Sequence, residues 1–222
     1  MLRQPYTSNR ENLSGVVVNY IKDSILAGIY KEGDHILESD VALKLGISRA
    51  PVREGIRELE KEGIVTTIPR RGTYVTKFTE EDIKEVFDIR LLLENNINKI
   101  LIYEDKLKED DFRHLEKLVK EMEDIADMQI DDTEKSILIN QKDMDFHRFI
   151  WQKSGSQRRV KLLEGIFFQL RIAMLYDMNE TGDYKISATD HYAIIESLRS
   201  KDIDQCKKAL REHIISYKEG KF

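Results

Sequence analysis

The chain has 222 residues, 41% of them hydrophobic and 35% charged, with 36 Lys+Arg against 41 Asp+Glu and a net charge of −5. That length holds one large or two modest domains, and the acidic balance excludes a protein that coats nucleic acid indiscriminately, so such binding would need a small, locally basic surface. The single cysteine, Cys206, excludes an internal disulfide and fits a reducing cytoplasm; no apolar run nears the roughly 18 residues of a membrane span and the N-terminus lacks a signal-peptide core, so no membrane partner is expected.

In chain order, Val17, Tyr20, Ile21, Ser24 and Ile25 recur at helical spacing, and Gly28 follows as a stop. Gly33-Asp34 turns the chain into a short apolar stretch, His35-Ile36-Leu37. A brief second helix is predicted from Ser39 to about Leu45, ending at Gly46. Ser48 then stands as N-cap of a third helix with Pro51 in its first turn, where a missing N–H costs nothing. Arg49, Arg53 and Arg57 follow at four-residue spacing on one face, while Val52, Ile56 and Leu59 take the other. Three spaced arginines alone would suit an ordinary surface helix. Two short helices joined by a tight glycine turn instead match a helix-turn-helix, whose second helix enters the DNA major groove, where arginine reads guanine or grips phosphate. After Gly63, Ile64 to Ile68 reads as a strand, Pro69-Arg70-Arg71-Gly72 as a turn and Thr73 to Lys77 as a second strand. The expectation is a winged helix-turn-helix of three helices and a two-stranded wing, with arginines at the wing tip.

These residues carry a family resemblance. Ile21 through Gly28, Gly33-Asp34, Glu38, Leu45-Gly46-Ile47-Ser48-Arg49, Pro51-Val52-Arg53-Glu54, Leu59, Gly63 and Arg71-Gly72-Thr73-Tyr74-Val75 together resemble the N-terminal domain of GntR-family transcription regulators. The resemblance implies that Arg49 and Arg53 contact operator bases or phosphates and that Gly72 approaches the minor groove; from their places on the third helix and the wing, Ser48, Arg57 and Arg71 are expected to face DNA beside them. Ser39 departs from it, standing where some relatives place a further DNA-contacting arginine.

The sequence divides near Lys77-Phe78-Thr79, into a DNA-binding domain, 1–78, and a second domain, 79–222. The first holds 12 basic against 10 acidic residues, the second 24 against 31. From Thr79 onward, helices are predicted at about 80–103, 108–127, 133–153, 157–177, 187–200 and 202–218, giving an all-α six-helix bundle. The longest polar break is the loop from Asp177 to Asp183. On the third of these helices Asp143, Phe146, His147, Ile150 and Trp151 share a stripe; on the fifth, His191 joins Ile194, Ile195 and Leu198; on the sixth, His213 joins Cys206, Ala209, Leu210 and Tyr217. Three histidines and an aspartate thus point into one core. Burying them unpartnered costs several kcal/mol, roughly 2–7 each, so they need a shared partner. Any one histidine is ordinarily a hydrogen-bonded core residue, but Asp and His at i and i+4 also offer two ligands to one ion. Arg90 and Glu94 lie on the stripe of Ile83, Phe87, Ile97 and Leu101, either as a buried ion pair or with Arg90 anchoring an anionic ligand. His114 lies off its helix stripe and His35 at a turn, with no special role expected.

The run Asp143-Met144-Asp145-Phe146-His147, His191 opening a helix and Arg211-Glu212-His213 resemble the effector domain of the FadR-type branch of the same family, and six helices resemble its VanR-type subgroup. Ser154-Gly155-Ser156 departs from a common Ser-Gly-Asn. The resemblance implies that Asp143, His147, His191 and His213 hold a divalent metal, completed by a small organic acid. Imidazole and carboxylate suit zinc first, and admit nickel, manganese, iron or cobalt. The reading is a cytoplasmic, homodimeric regulator, a repressor, binding a palindromic operator on double-stranded DNA. Two alternatives stand beside it: a metal sensor in which the ion is the signal, and a metalloenzyme fused to a DNA-binding module, disfavoured because no spare base or nucleophile stands out on these faces.

Overall fold

The computed structural model describes residues 12–181 and 183–216, which divide into two compact units, Met1–Phe78 and Thr79–Phe222. In the first, α1 (Leu13–Leu26), α2 (Glu38–Leu45) and α3 (Arg49–Lys61) enclose a core built from Val17, Ile21, Val41, Val52 and Leu59. Left-handed Gly28, Gly46 and Gly63 stand just beyond the three helices, where a side chain would strain the backbone. Gly55 is a different case. A Cβ there would lie 2.8 Å from Val17 Cγ1 and 2.9 Å from the Ser14 carbonyl oxygen, so its absence lets α3 rest directly on α1.

The wing has three strands rather than the two expected. β1 (His35–Ile36), β2 (Val65–Ile68) and β3 (Gly72–Val75) form an antiparallel sheet in the order β1-β3-β2. The stretch His35-Ile36 becomes a strand because the Gly33-Asp34 turn brings it beside β3. Gly33 N–H donates to the Val75 carbonyl at 3.0 Å, and Val75 N–H to the Asp34 carbonyl at 2.9 Å. His35 then pairs with Tyr74, and Ile68 with Gly72 across the turn.

The second unit is all helical: α4 (Glu80–Tyr103), α5 (Glu109–Ala126), α6 (Asp132–Lys153), α7 (Gln157–Thr181), α8 (Tyr184–Thr189), α9 (His191–Arg199) and α10 (Ile203–Ser216). Side chains fix several starts. Thr79 and Asp82 form a reciprocal capping box on α4, Asp131 accepts from Thr133 and Glu134 N–H on α6, and Asp183 accepts from Ile186 N–H on α8. Helix α5 shows why the periodicity was legible: Phe112, Leu115, Leu118, Val119, Met122 and Ile125 are all buried on one stripe.

Seven helical segments among the described residues replace the six expected, so the count that suggested the VanR-type subgroup does not hold. The predicted loop from Asp177 is helical as far as Thr181, because neither glycine nor proline interrupts the chain between Gly165 and Gly182. The predicted fifth helix starts earlier, at Tyr184, and is divided at Asp190 into α8 and α9. The sixth was expected to reach 218; residues 217 and 218 lie outside the described residues. Among those described, no helix is long and apolar enough to cross a membrane.

The Gly55 contact yields a prediction. Alanine is the better helix former by about 1 kcal/mol, yet the extra carbon meets backbone as well as side chain, an overpacking that costs about 1–3 kcal/mol. Gly55→Ala should therefore lower the protection of α1 and α3 amides against hydrogen exchange. Unchanged or increased protection would show that the helices part at no cost.

Candidate metal centre and nucleic-acid interface

In the first unit, Arg49, Arg53 and Arg57 are all exposed on α3, opposite the buried Val52, Ile56 and Leu59. Arg53 is held at its root: Nε donates to Glu38 Oε2 at 2.8 Å across to α2. With its side chain 59% exposed, the rest of the guanidinium stays presented outward. Ser48 sits at the N-cap position with extended backbone, but its hydroxyl makes no capping bond, contrary to expectation. The exposed hydroxyl is instead available to an outside partner.

Arg71 is exposed at the wing tip and Gly72 is half-buried with φ 110°, a conformation that disfavours any side chain. A Cβ on Gly72 would strike the His35 ring. That ring stacks on Tyr74 with centroids 4.8 Å apart, and the Tyr74 hydroxyl donates to the Arg71 carbonyl at 3.0 Å. His35, given no role by the sequence, thus braces the wing. Its only sequence signal was a position at the Gly33-Asp34 turn, too common to read.

In the second unit, α6 presents Asp143 and His147 one turn apart, α9 opens with His191 and α10 contributes His213. All four are buried, and one ligand atom from each lies within 4.8 Å of every other. His147 Nε2 is 3.1 Å from His213 Nε2, and His191 Nε2 is 3.0 Å from Asp143 Oδ1. His114, by contrast, is exposed, with its ring against Phe149.

Neighbouring groups fix which nitrogen carries each proton. His191 Nδ1 lies 3.1 Å from the carbonyl oxygens of both Ser187 and Ala188, which only accept, so Nδ1 carries the hydrogen. His147 Nδ1 lies 2.9 Å from Glu94 Oε2, with the same consequence. Both Nε2 lone pairs therefore face the centre. With His191 neutral, its Nε2 and Asp143 Oδ1 face each other at 3.0 Å as two acceptors, which only a second proton on the ring or a shared cation can join. Buried acceptors turned on one another cost free energy that a shared cation would recover.

Electrostatics favours the same state. Burial pushes the Asp143 carboxyl up, but His147, His191 and Arg90 together outweigh it and hold the group below its ordinary value. Burial likewise opposes ionisation of Glu94, yet His147 and Arg90 bring it down to about 2. His147 is lowered chiefly by burial and then by Arg90; His213 falls well below the usual histidine range through burial and then the charges of His191, His147 and Arg90. Ionised carboxylate and neutral imidazoles are the forms that bind a metal ion.

Arg90 takes the ion-pair alternative: it is fully buried, with Nε 2.6 Å from Glu94 Oε1. The link from Glu94 to His147 was not legible, because nothing in one sequence shows which helix faces α6.

With this geometry in view, residues 13–75 match the family described as bacterial regulatory proteins, gntR family, and residues 85–216 match the FCD domain. The uncharacterized HTH-type transcriptional regulator YdhC of Bacillus subtilis (strain 168) is 31% identical over 201 residues, spanning 90% of this chain and 84% of its own. The probable D-xylose utilization operon transcriptional repressor of Paenarthrobacter nicotinovorans is 25% identical over 94% of this chain and 88% of its own. Among solved structures, E. coli McbR/YncC superposes with a TM-score of 0.76 at 20% identity, over 92% of this chain and 94% of that one, a likeness of fold.

Metal addition tests the centre directly. A ligand that binds only the folded state at about 100 times its Kd stabilises by about 2.7 kcal/mol. Zinc in such excess should raise the melting temperature of the wild type, a chelator should reverse it, and His191→Ala should abolish the rise. A wild-type melt indifferent to zinc, nickel and manganese would leave the four residues as core packing alone.

Proposed function

The chain belongs to the gntR family of bacterial regulatory proteins and carries an FCD effector domain, and from that premise we propose a metal-centred, metabolite-released repressor. It is a transcription regulator, and its relatives are regulators rather than enzymes, which removes the metalloenzyme alternative. The repressor role rests on the similarity to the D-xylose operon repressor, spread over nearly the whole chain.

In this reading Asp143, His147, His191 and His213 hold one divalent ion, with zinc the first choice and nickel, manganese, iron or cobalt chemically compatible. The observation that carries it is the confrontation of unpartnered Asp143 and His191 acceptors inside the bundle. Such an ion supplies fixed positive charge and an open coordination position for an oxygen of a small organic acid. The residues around it do the remaining work. Asp143 supplies the anionic ligand, and three neutral imidazoles leave net positive charge at the centre. Arg90, whose field reaches Asp143, His147 and His213, adds positive charge that favours a carboxylate.

At the other end of the chain, a homodimer would present two α3 helices to a palindromic operator, since two-fold protein symmetry demands a two-fold site. Ser48, Arg49, Arg53 and Arg57 would meet the major groove, with Arg71 and Gly72 at the adjacent backbone or minor groove. Helix α4 begins five residues after β3 ends, at Glu80 after Val75, so the wing connects directly to the helix bearing Arg90 and Glu94. Occupancy of the centre need shift operator binding by only about 1–3 kcal/mol to change affinity roughly 5–150-fold.

Operator titrations test both halves. Arg49→Ala and Arg53→Ala should each lose about 1–3 kcal/mol of affinity if they read bases. Arg71→Ala should weaken binding across sequences more evenly and flatten its salt dependence. Adding small carboxylates to the zinc-loaded wild type should release the operator, and His213→Ala should be deaf to them. Full operator affinity in both α3 variants would overturn the interface. Release by metal alone, with no organic acid, would make the ion itself the signal.

A further inference from the structure

Glu94 and Arg90 belong to α4, a helix that supplies none of the four candidate ligands, yet both are buried at the edge of the cluster. The two oxygens of Glu94 are used differently. Oε1 accepts from Arg90 Nε at 2.6 Å, and Oε2 faces His147 Nδ1 at 2.9 Å. A counter-charge for Arg90 needs no second contact on an imidazole of another helix. Buried ion pairs are in any case poor sources of stability, because desolvating both charges offsets their attraction.

His147 and His191 are oriented by different means. The His191 ring hangs on two backbone carbonyls of the preceding helix α8, those of Ser187 and Ala188, which no substitution removes. The proton of His147 is instead fixed at Nδ1 by a side chain, that of Glu94. A carboxylate bonded to the far nitrogen of a metal-binding imidazole both selects the tautomer and raises ligand basicity.

We propose that Glu94, anchored by Arg90, is the positioning residue that turns the His147 Nε2 lone pair toward the centre, so that α4 sets how tightly and in what geometry the ion is held. This rests on the metal reading above, but the two can fail separately. Both follow from the same full-length protein.

Histidine side-chain 15N NMR of the metal-free wild type should show His147 protonated at Nδ1; a proton at Nε2 would overturn the proposal without recourse to any variant. Zinc affinity, measured by competition with a chromophoric chelator, should fall about 10–100-fold in Glu94→Gln, with a changed visible spectrum for the cobalt(II)-loaded protein. Because removing the Glu94 charge beside the buried Arg90 guanidinium can unfold that variant, Arg90→Leu with Glu94→Leu replaces the whole pair by apolar groups and should lose zinc affinity to a similar degree while keeping the wild-type circular dichroism. Folded variants with wild-type zinc affinity and cobalt spectrum would reduce Glu94 to a counter-charge, and the proposal would fall. If the wild type binds neither zinc nor cobalt, the metal reading fails, whereas the NMR result still decides the pairing of Glu94 with His147.

Discussion

Two acceptors face one another at 3.0 Å in the interior of the helical unit, His191 Nε2 and Asp143 Oδ1, and much of that unit serves to hold them there. The hydrogen on His191 is committed to the Ser187 and Ala188 carbonyls, and the Asp143 carboxyl is kept ionised against its own burial. A pair of this kind has two remedies. A proton can enter between them, or a cation can. His147 and His213 bring their own Nε2 atoms to the same point, 3.1 Å apart, and at most one proton fits between those. Four groups, each a competent metal ligand, thus converge where one cation could serve all of them.

The architecture explains how the convergence is built. Helix α6 gives two ligands because Asp143 and His147 are four residues apart and so stack on one face. The break at Asp190 places His191 at the very start of α9, where its ring reaches back to carbonyls of α8. Phe146 packs edge-on against His191 at 4.6 Å, fixing the ring from the side. Behind this shell, Glu94 and Arg90 bring in α4, the helix that the chain enters directly from the wing. In the DNA-binding unit the same economy recurs on a smaller scale. Glu38 holds Arg53 and His35 braces Gly72, so both α3 and the wing tip are presented by neighbours rather than left to fluctuate.

Local chemistry made much of this legible from the sequence. The glycines at 28, 46 and 63 ended helices as expected, and the alternation of apolar and arginine positions on α3 gave its two faces. The inward stripes of α6, α9 and α10 pointed Asp143, His147, His191 and His213 into the core, because a period of 3.6 is a property of sequence alone. What stayed hidden depended on tertiary pairing. Strand β1 is two residues long and exists only because β3 lies alongside. Glu94 was visible as a buried partner for Arg90, but its second oxygen, the one on His147, belongs to a contact 53 residues apart in the chain. The polar stretch from Asp177 to Thr181 read as a loop by composition, although no breaker stood in it. Asp190 divides a helix without a proline or glycine, and only the claim of the His191 ring on nearby carbonyls hints at why.

X-ray absorption at the zinc edge of the metal-loaded, full-length protein tests the central claim most directly. The account predicts three imidazole nitrogens and a carboxylate oxygen in the first shell at about 2.0–2.2 Å, with further light-atom scattering from an oxygen ligand at the open position. Fewer than two imidazoles in that shell, or a sulfur scatterer at about 2.3 Å, would contradict it.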